Sequence, residues 1–230
     1  MNKKMIFRFL IGSVCLILSV SSFAQASKGL KALTKNKYEE AYQLFQSAMA
    51  KPGEIPMAYY GLSKLYSTAT YSGYNIDTAY SNVLRAEQTY RKLDYKLKGK
   101  LSKKLNLSTI RKEKKAIAEK AFTKYEETNT VDGWTYFLNN YKKPGYKLEK
   151  KAQIERNKLA YEAAKSAGTY QAYADILGKY RKSMASKSPS ILKKVESGLL
   201  ELYMKEKGWE DFDNFAAAYP YHSFVKDSVY

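Results

Sequence analysis

The sequence predicts an all-α chain built as a solenoid of antiparallel helical hairpins, and three observations carry that expectation. In the C-terminal half, Thr130, Trp134, Phe137, Leu138 and Tyr141 recur 39 residues later as Thr169, Tyr173, Ile176, Leu177 and Tyr180, and 39 residues further as Phe212, Phe215 and Tyr219. Within each copy the apolar positions fall at plus 3, plus 4 and plus 7, which is one stripe of an α-helix. The composition agrees: 45% hydrophobic and 27% charged residues mark a globular chain, and only five prolines among 230 residues do not punctuate a strand-rich sandwich.

Taken in order, residues 1–26 read as a secretory signal peptide. Lys3, Lys4 and Arg8 precede an apolar run from Phe7 to Val20, and Phe23-Ala24-Gln25-Ala26 offers a small-x-small site with cleavage after Ala26. The run is too short to span a bilayer, which takes roughly 20 residues. The expected location is therefore outside the cytosol, periplasmic or associated with the cell envelope. Cys15 is the only cysteine and lies in this segment, while His222 is the only histidine. Disulfides, Cys/His zinc sites and thiol nucleophiles are thereby excluded from the mature chain. No metal or cofactor is expected.

Residues 27–93 show a second periodicity, in which Tyr38, Ala41, Tyr42, Phe45 and Ala48 stand 38 residues before Ile76, Ala79, Tyr80, Val83 and Ala86. Tyr38-Glu39-Glu40-Ala41, Phe45, Ala48 and Pro52, with Gly29 ahead of them, resemble the second and first helices of the tetratricopeptide repeat (TPR). Tyr59, Leu62, Ser63 and Tyr66, then Ala79 and Ala86, resemble a second copy lengthened by about four residues between Thr68 and Asn75. The small residues let two helices approach closely while aromatic rings fill the space beside them. The 39-residue units are similar to divergent relatives of this repeat in bacterial envelope proteins. The resemblance implies a TPR-like solenoid used as a protein-binding scaffold, and no enzyme.

Between the two repeat sets, residues 94–120 form a basic bridge. Leu93, Leu97, Leu101 and Leu105 are spaced for one helix despite Gly99, with a break near Asn106 to Thr109 and a further helix through Tyr125. Residues 121–230 hold three divergent 39-residue hairpins, divided by turns at Thr128 to Gly133, Ser166 to Thr169 and Lys207-Gly208. The last unit ends as its successor begins, at Ser223 to Tyr230. A longer parent protein, a stacking partner or a short tail folded back on the third hairpin is the expectation there.

The chain carries +18 in all, and +15 once the three leader cations are gone. Eleven Lys and Arg against Asp94 and Glu113 give the Arg91–Lys115 run +9, while 142–151 adds +4 and 179–194 adds +6. Lys142, Lys143, Lys182, Lys193 and Lys194 fall at related repeat positions, so they are expected along one edge. Such an edge suits an acidic protein, an anionic membrane surface, lipopolysaccharide or glycan. Tyrosines among lysines also suit single-stranded nucleic acid, but export removes that substrate, so nucleic acid is not expected. Tyr59, Tyr60, Tyr71, Tyr74 and Tyr90 cluster in the N-terminal hairpins as candidate groove residues for a peptide or glycan. Trp134 and Trp209 read as core or turn staples. His222 has no placed acidic partner, and the Glu39-Glu40 and Glu126-Glu127 pairs read as solvated, so no catalytic residue is assigned. The functional expectation is an exported, non-catalytic scaffold for protein partners in the envelope, with a binder of anionic lipid, lipopolysaccharide or glycan as the alternative.

Overall fold

The computed structural model describes residues 24–141 and 146–228. Among them every regular element is helical. Two compact units divide between Ala118 and Glu119, so most of the basic bridge belongs with the first unit.

The first unit opens with α1 (Ala24–Thr34), α2 (Tyr38–Ala48), α3 (Ile55–Tyr66) and α4 (Ile76–Lys92). Each packs on its successor, and α1 also meets α3. The packing rests on the small residues: Ala41, Ala48, Ala79 and Ala86 are all fully buried. Phe45 is 0% exposed, and a Cβ on Gly29 would stand 2.6 Å from its ring while one on Gly61 would overlap the ring more deeply. Both glycines therefore serve close approach of helices around one aromatic side chain. Helix starts are set locally. Pro56 sits in the first turn of α3, and the Asn75 side chain accepts the Thr78 N–H at 2.9 Å at the head of α4.

The bridge holds two helices with a break between them, as the spacing predicts, but the first is shorter than Leu93 to Leu105 and the break comes earlier. Asp94 caps α5 (Tyr95–Leu101), accepting the Leu97 N–H at 2.8 Å, and α5 ends four residues before Leu105. Asn106 then starts α6 (Leu107–Thr128) by accepting the Thr109 N–H at 3.0 Å. Leu101, Leu105 and Ile110 are each 0% exposed. Leu97 and Leu101 lie in α5 while Leu93 and Leu105 fall just outside it, because Asp94 caps α5 after Leu93 and Asn106 caps α6 after Leu105.

The second unit begins within α6 and continues through α7 (Val131–Asn140), α8 (Tyr146–Ala167), α9 (Tyr170–Lys187), α10 (Pro189–Lys207), a 3-10 turn (Trp209–Asp211), α11 (Phe212–Ala218) and α12 (Ser223–Ser228). The 39-residue frame reappears in the helix starts at Val131, Tyr170 and Trp209. Thr130 accepts the Gly133 N–H at 3.0 Å and Thr169 the Ala172 N–H at 3.3 Å, whereas Gly208, at φ +88°, takes the third position. Phe122, Tyr125, Trp134, Phe137 and Tyr141 form one aromatic cluster, with Phe122 and Trp134 ring centres 4.9 Å apart. Tyr173, Met184, Val195, Leu199, Tyr203, Met204, Phe215 and Val225 build a second core further along. Trp209 lies in the turn, one of the two places expected for it, 63% exposed and with its ring 6.5 Å from that of Phe224.

Candidate functional site

The five candidate tyrosines of the first unit do not form one surface. Tyr60 and Tyr90 are packed inside, at 9% and 6% exposure. The Lys64 ammonium lies 5.7 Å from the Tyr60 ring, and burial raises that phenol's pKa. Tyr59 is half-buried beneath the Arg85 guanidinium, 5.8 Å away. Tyr71 is half-buried between Tyr38 and Tyr66, each 5.8 Å from it. Tyr74 alone of the five is well exposed, at 44%.

Of the basic candidates, Lys142 and Lys143 lie outside the described residues, while Lys182, Lys193 and Lys194 are exposed. Lys194 approaches the Tyr161 ring at 5.8 Å. In the bridge, three cations converge on Glu87: Arg91 at 2.6 Å, Lys114 at 2.7 Å and Arg111 at 3.8 Å. Hydrogen bonds from Lys114 and Arg91 lower the Glu87 pKa to about 2, against an opposing effect of burial. Lys64 pairs with Glu113 at 3.2 Å. These contacts fasten α6 to α3 and α4 and spend part of the positive charge internally. Lys92, Lys96, Lys100 and Lys103 remain exposed, and Tyr95 stands among them 92% exposed.

The second unit holds an enclosure that the sequence reading missed. Ala174, Leu177, Gly178 and Arg181 of α9, Glu196 of α10 and the segment Ala218 to His222 line a cavity of ≈ 240 Å³. The Glu196 side chain is 6% exposed, its nearest cation is Arg181 Nη2 at 3.5 Å, and its Oε1 accepts no hydrogen bond. Arg181 also donates to the Tyr221 carbonyl, and its guanidinium lies 5.7 Å from the Tyr221 ring. His222 is 4% exposed. Its Nδ1 accepts the Phe224 N–H at 3.1 Å, and its Nε2 lies 2.7 Å from the Glu196 carbonyl. A carbonyl only accepts, so the proton sits on Nε2 and the ring is committed to holding the loop.

The corresponding positions one unit earlier carry a hydrogen-bonded polar cluster. Asn157 and Ser183 stand 39 residues before Glu196 and His222. Ser183 donates to Asn157 Oδ1 at 2.8 Å, Arg156 donates to Ser183 at 2.7 Å, and the Asn157 amide reaches Ser188 at 3.3 Å. The Arg156 guanidinium covers the Tyr180 ring at 4.3 Å. In the next unit Val195 replaces Arg156, and Gly178 faces open space with nothing within 4 Å of a Cβ built there. A half-open apolar pocket with a guanidinium and a carboxylate oxygen that is ion-paired but accepts no hydrogen bond can admit one side chain that carries a hydrogen-bond donor. The signal that could have revealed it is the repeat frame extended to polar positions.

Among the described residues, no cluster of three or more His, Cys, Asp or Glu is placed to hold a metal, and no helix is long and apolar enough to cross a membrane. Comparison with protein-family models, curated proteins and solved structures finds no match to this chain.

Proposed function

We propose that this chain is an exported, non-catalytic scaffold of stacked TPR-like helical hairpins that binds a protein partner in the cell envelope. The close helix approach at Gly29, Gly61 and the buried alanines supports the repeat reading. The observation that carries the binding reading is the cavity beside Gly178, at frame positions where the preceding copy instead joins Arg156 to Ser183 and to the Tyr180 ring. A cavity smaller than the roughly 300–1,000 Å³ of small-molecule sites suits a single anchoring side chain of a partner. Aromatic anchors with a donor, such as Tyr or Trp, fit it best because they can satisfy Glu196 Oε1.

One observation favours a second reading, in which the bridge meets an anionic lipid, lipopolysaccharide or glycan surface: Tyr95 is 92% exposed in the middle of exposed lysines. A synthetic peptide array separates the two. Under the scaffold reading, peptides with Tyr or Trp anchors bind in 1 M salt, Gly178→Leu abolishes binding, and changing Lys92, Lys96, Lys100 and Lys103 to Glu does not. Binding that survives Gly178→Leu but vanishes in the lysine variant and in high salt, where the Debye length is about 3 Å, overturns it in favour of the basic surface.

A further inference from the structure

The first turn of α1 rests on a buried acid. Ala26 is 0% exposed, and its N–H donates to Glu54 Oε2 at 2.7 Å. The Glu54 side chain is 0% exposed. Its second oxygen, Oε1, accepts no hydrogen bond, and its one nearby cation, Lys51, stands 3.6 Å away with 47% of its side chain in solvent. A carboxylate taken wholly out of water costs several kcal/mol unless a cation and enough donors meet it. One neutral N–H and a loosely placed lysine fall short of that.

We propose that Glu54 is the receptor for an α-ammonium group created when the leader is cut off after Ala26, an inference that rests on the export reading above. The chemistry is hydrolysis by a signal peptidase. Water adds OH to the Ala26 carbonyl carbon, the Ala26–Ser27 C–N bond breaks, and the Ser27 nitrogen leaves as an amine that takes up a proton. Ala26 departs with its carboxylate. The Ser27 nitrogen is the next donor along the same helix start, and the space Ala26 occupied lies against Glu54. The exchange replaces one neutral donor by three donors and a positive charge, which is what Oε1 lacks.

The charged groups around the pair are few. On α1 there are Lys28 and Lys31, both exposed. Lys51 precedes α3 and approaches Oε1 at 3.6 Å. Lys104, between α5 and α6, donates to Ser27 Oγ at 3.0 Å. Ser27 Oγ also points at Met57 Sδ, 3.6 Å away on α3. Lys104 opposes a second cation at Ser27, so the pairing relies on Glu54. A free α-amino group titrates near 7.7–8.0. Pairing raises its folded value, so the added stability is complete below that range and disappears as pH rises through the raised value.

The test uses residues 27–230 prepared with a free Ser27 amine and with the same amine acetylated, each with Glu54 and with Glu54→Gln. Unfolding is followed from pH 6 to 11, and a ¹⁵N label on Ser27 reads the amine titration directly. The free-amine chain is expected to unfold with an equilibrium constant about tenfold lower than the acetylated chain at pH 7, with the gap closing at high pH. The Ser27 titration should lie above about 8 and fall back in Glu54→Gln. Equal stability of the free and acetylated chains, whose side chains are identical, overturns the pairing. Intact mass of the chain exported with its own leader tests the other premise: retention of the leader or a start other than Ser27 overturns the export reading or the cleavage site, while the acetylation comparison still reports on Glu54.

Discussion

Replacing Gly61 by alanine tests whether the buried ring of Phe45 dictates helix approach. In an unobstructed helix the change gains about 1 kcal/mol of helix propensity. At Gly61 the new methyl would overlap Cε1 and Cζ of Phe45, a side chain with no exposed surface into which to swing. Overpacking of this kind costs about 1–3 kcal/mol, and here the overlap is deep, so a net loss of about 2 kcal/mol is expected. Gly99 in α5 and Gly178 in α9 are internal controls, because a Cβ at either position meets nothing within 4 Å. Alanine there should stabilise by about 0.5–1 kcal/mol. Urea unfolding followed by circular dichroism, with a probe in each unit, measures all three. A shift of the Gly61→Ala midpoint to higher urea would refute close approach as the reason for glycine. Partial recovery in Gly61→Ala combined with Phe45→Leu would locate the conflict at that ring.

The Glu87 carboxylate, drawn down from 4.5 to about 2 by Lys114 and Arg91, contributes stability that is complete above pH 4.5 and is lost as pH falls toward 2. The gap corresponds to at most about 3 kcal/mol, and solvent screening of the half-exposed arginines reduces it to about 1–2 kcal/mol; Glu87→Gln should remove that part of the acid transition, and an unchanged pH profile would contradict it. Thr130→Ala and Thr169→Ala each remove an N-cap hydrogen bond and should cost about 1 kcal/mol in the second unit, with Ser restoring most of it; calorimetry checks this. Gly178→Leu should close the cavity without lowering helicity, as read by loss of p-cresol binding in NMR titration, and wild-type chain that never takes up p-cresol would weigh against a side-chain site.

How far the fold could be read depended on which residues carried the signal. Thr130, Thr169 and the turn glycine Gly208 announced the helix starts because capping is local, and Ala41, Ala48, Ala79 and Ala86 announced close packing because only small residues fit there. Trp209 took the turn and not the core. It holds the frame position of Val131 and Tyr170, both half-exposed at the helix start, and frame position governed its exposure more than its hydrophobicity did. Tyr60 and Tyr90 are as apolar-faced as Tyr74, and which rings turn inward depends on the helix they meet, a tertiary fact absent from local pattern. The cavity escaped because the repeat was followed through its apolar residues, whereas the informative substitutions were polar: Asn157 to Glu196, Ser183 to His222 and Arg156 to Val195.

The succession of contacts has a kinetic consequence. The larger helix–helix contacts join immediate neighbours or next-but-one helices, so much of the native packing closes short loops, with the ion pair from α6 back to α3 an exception. Low contact order of this kind places folding in the microsecond-to-millisecond range. Each unit can complete its own core without waiting for distant segments, and a chain interrupted partway leaves behind whole helix pairs instead of unpaired strand edges open to aggregation.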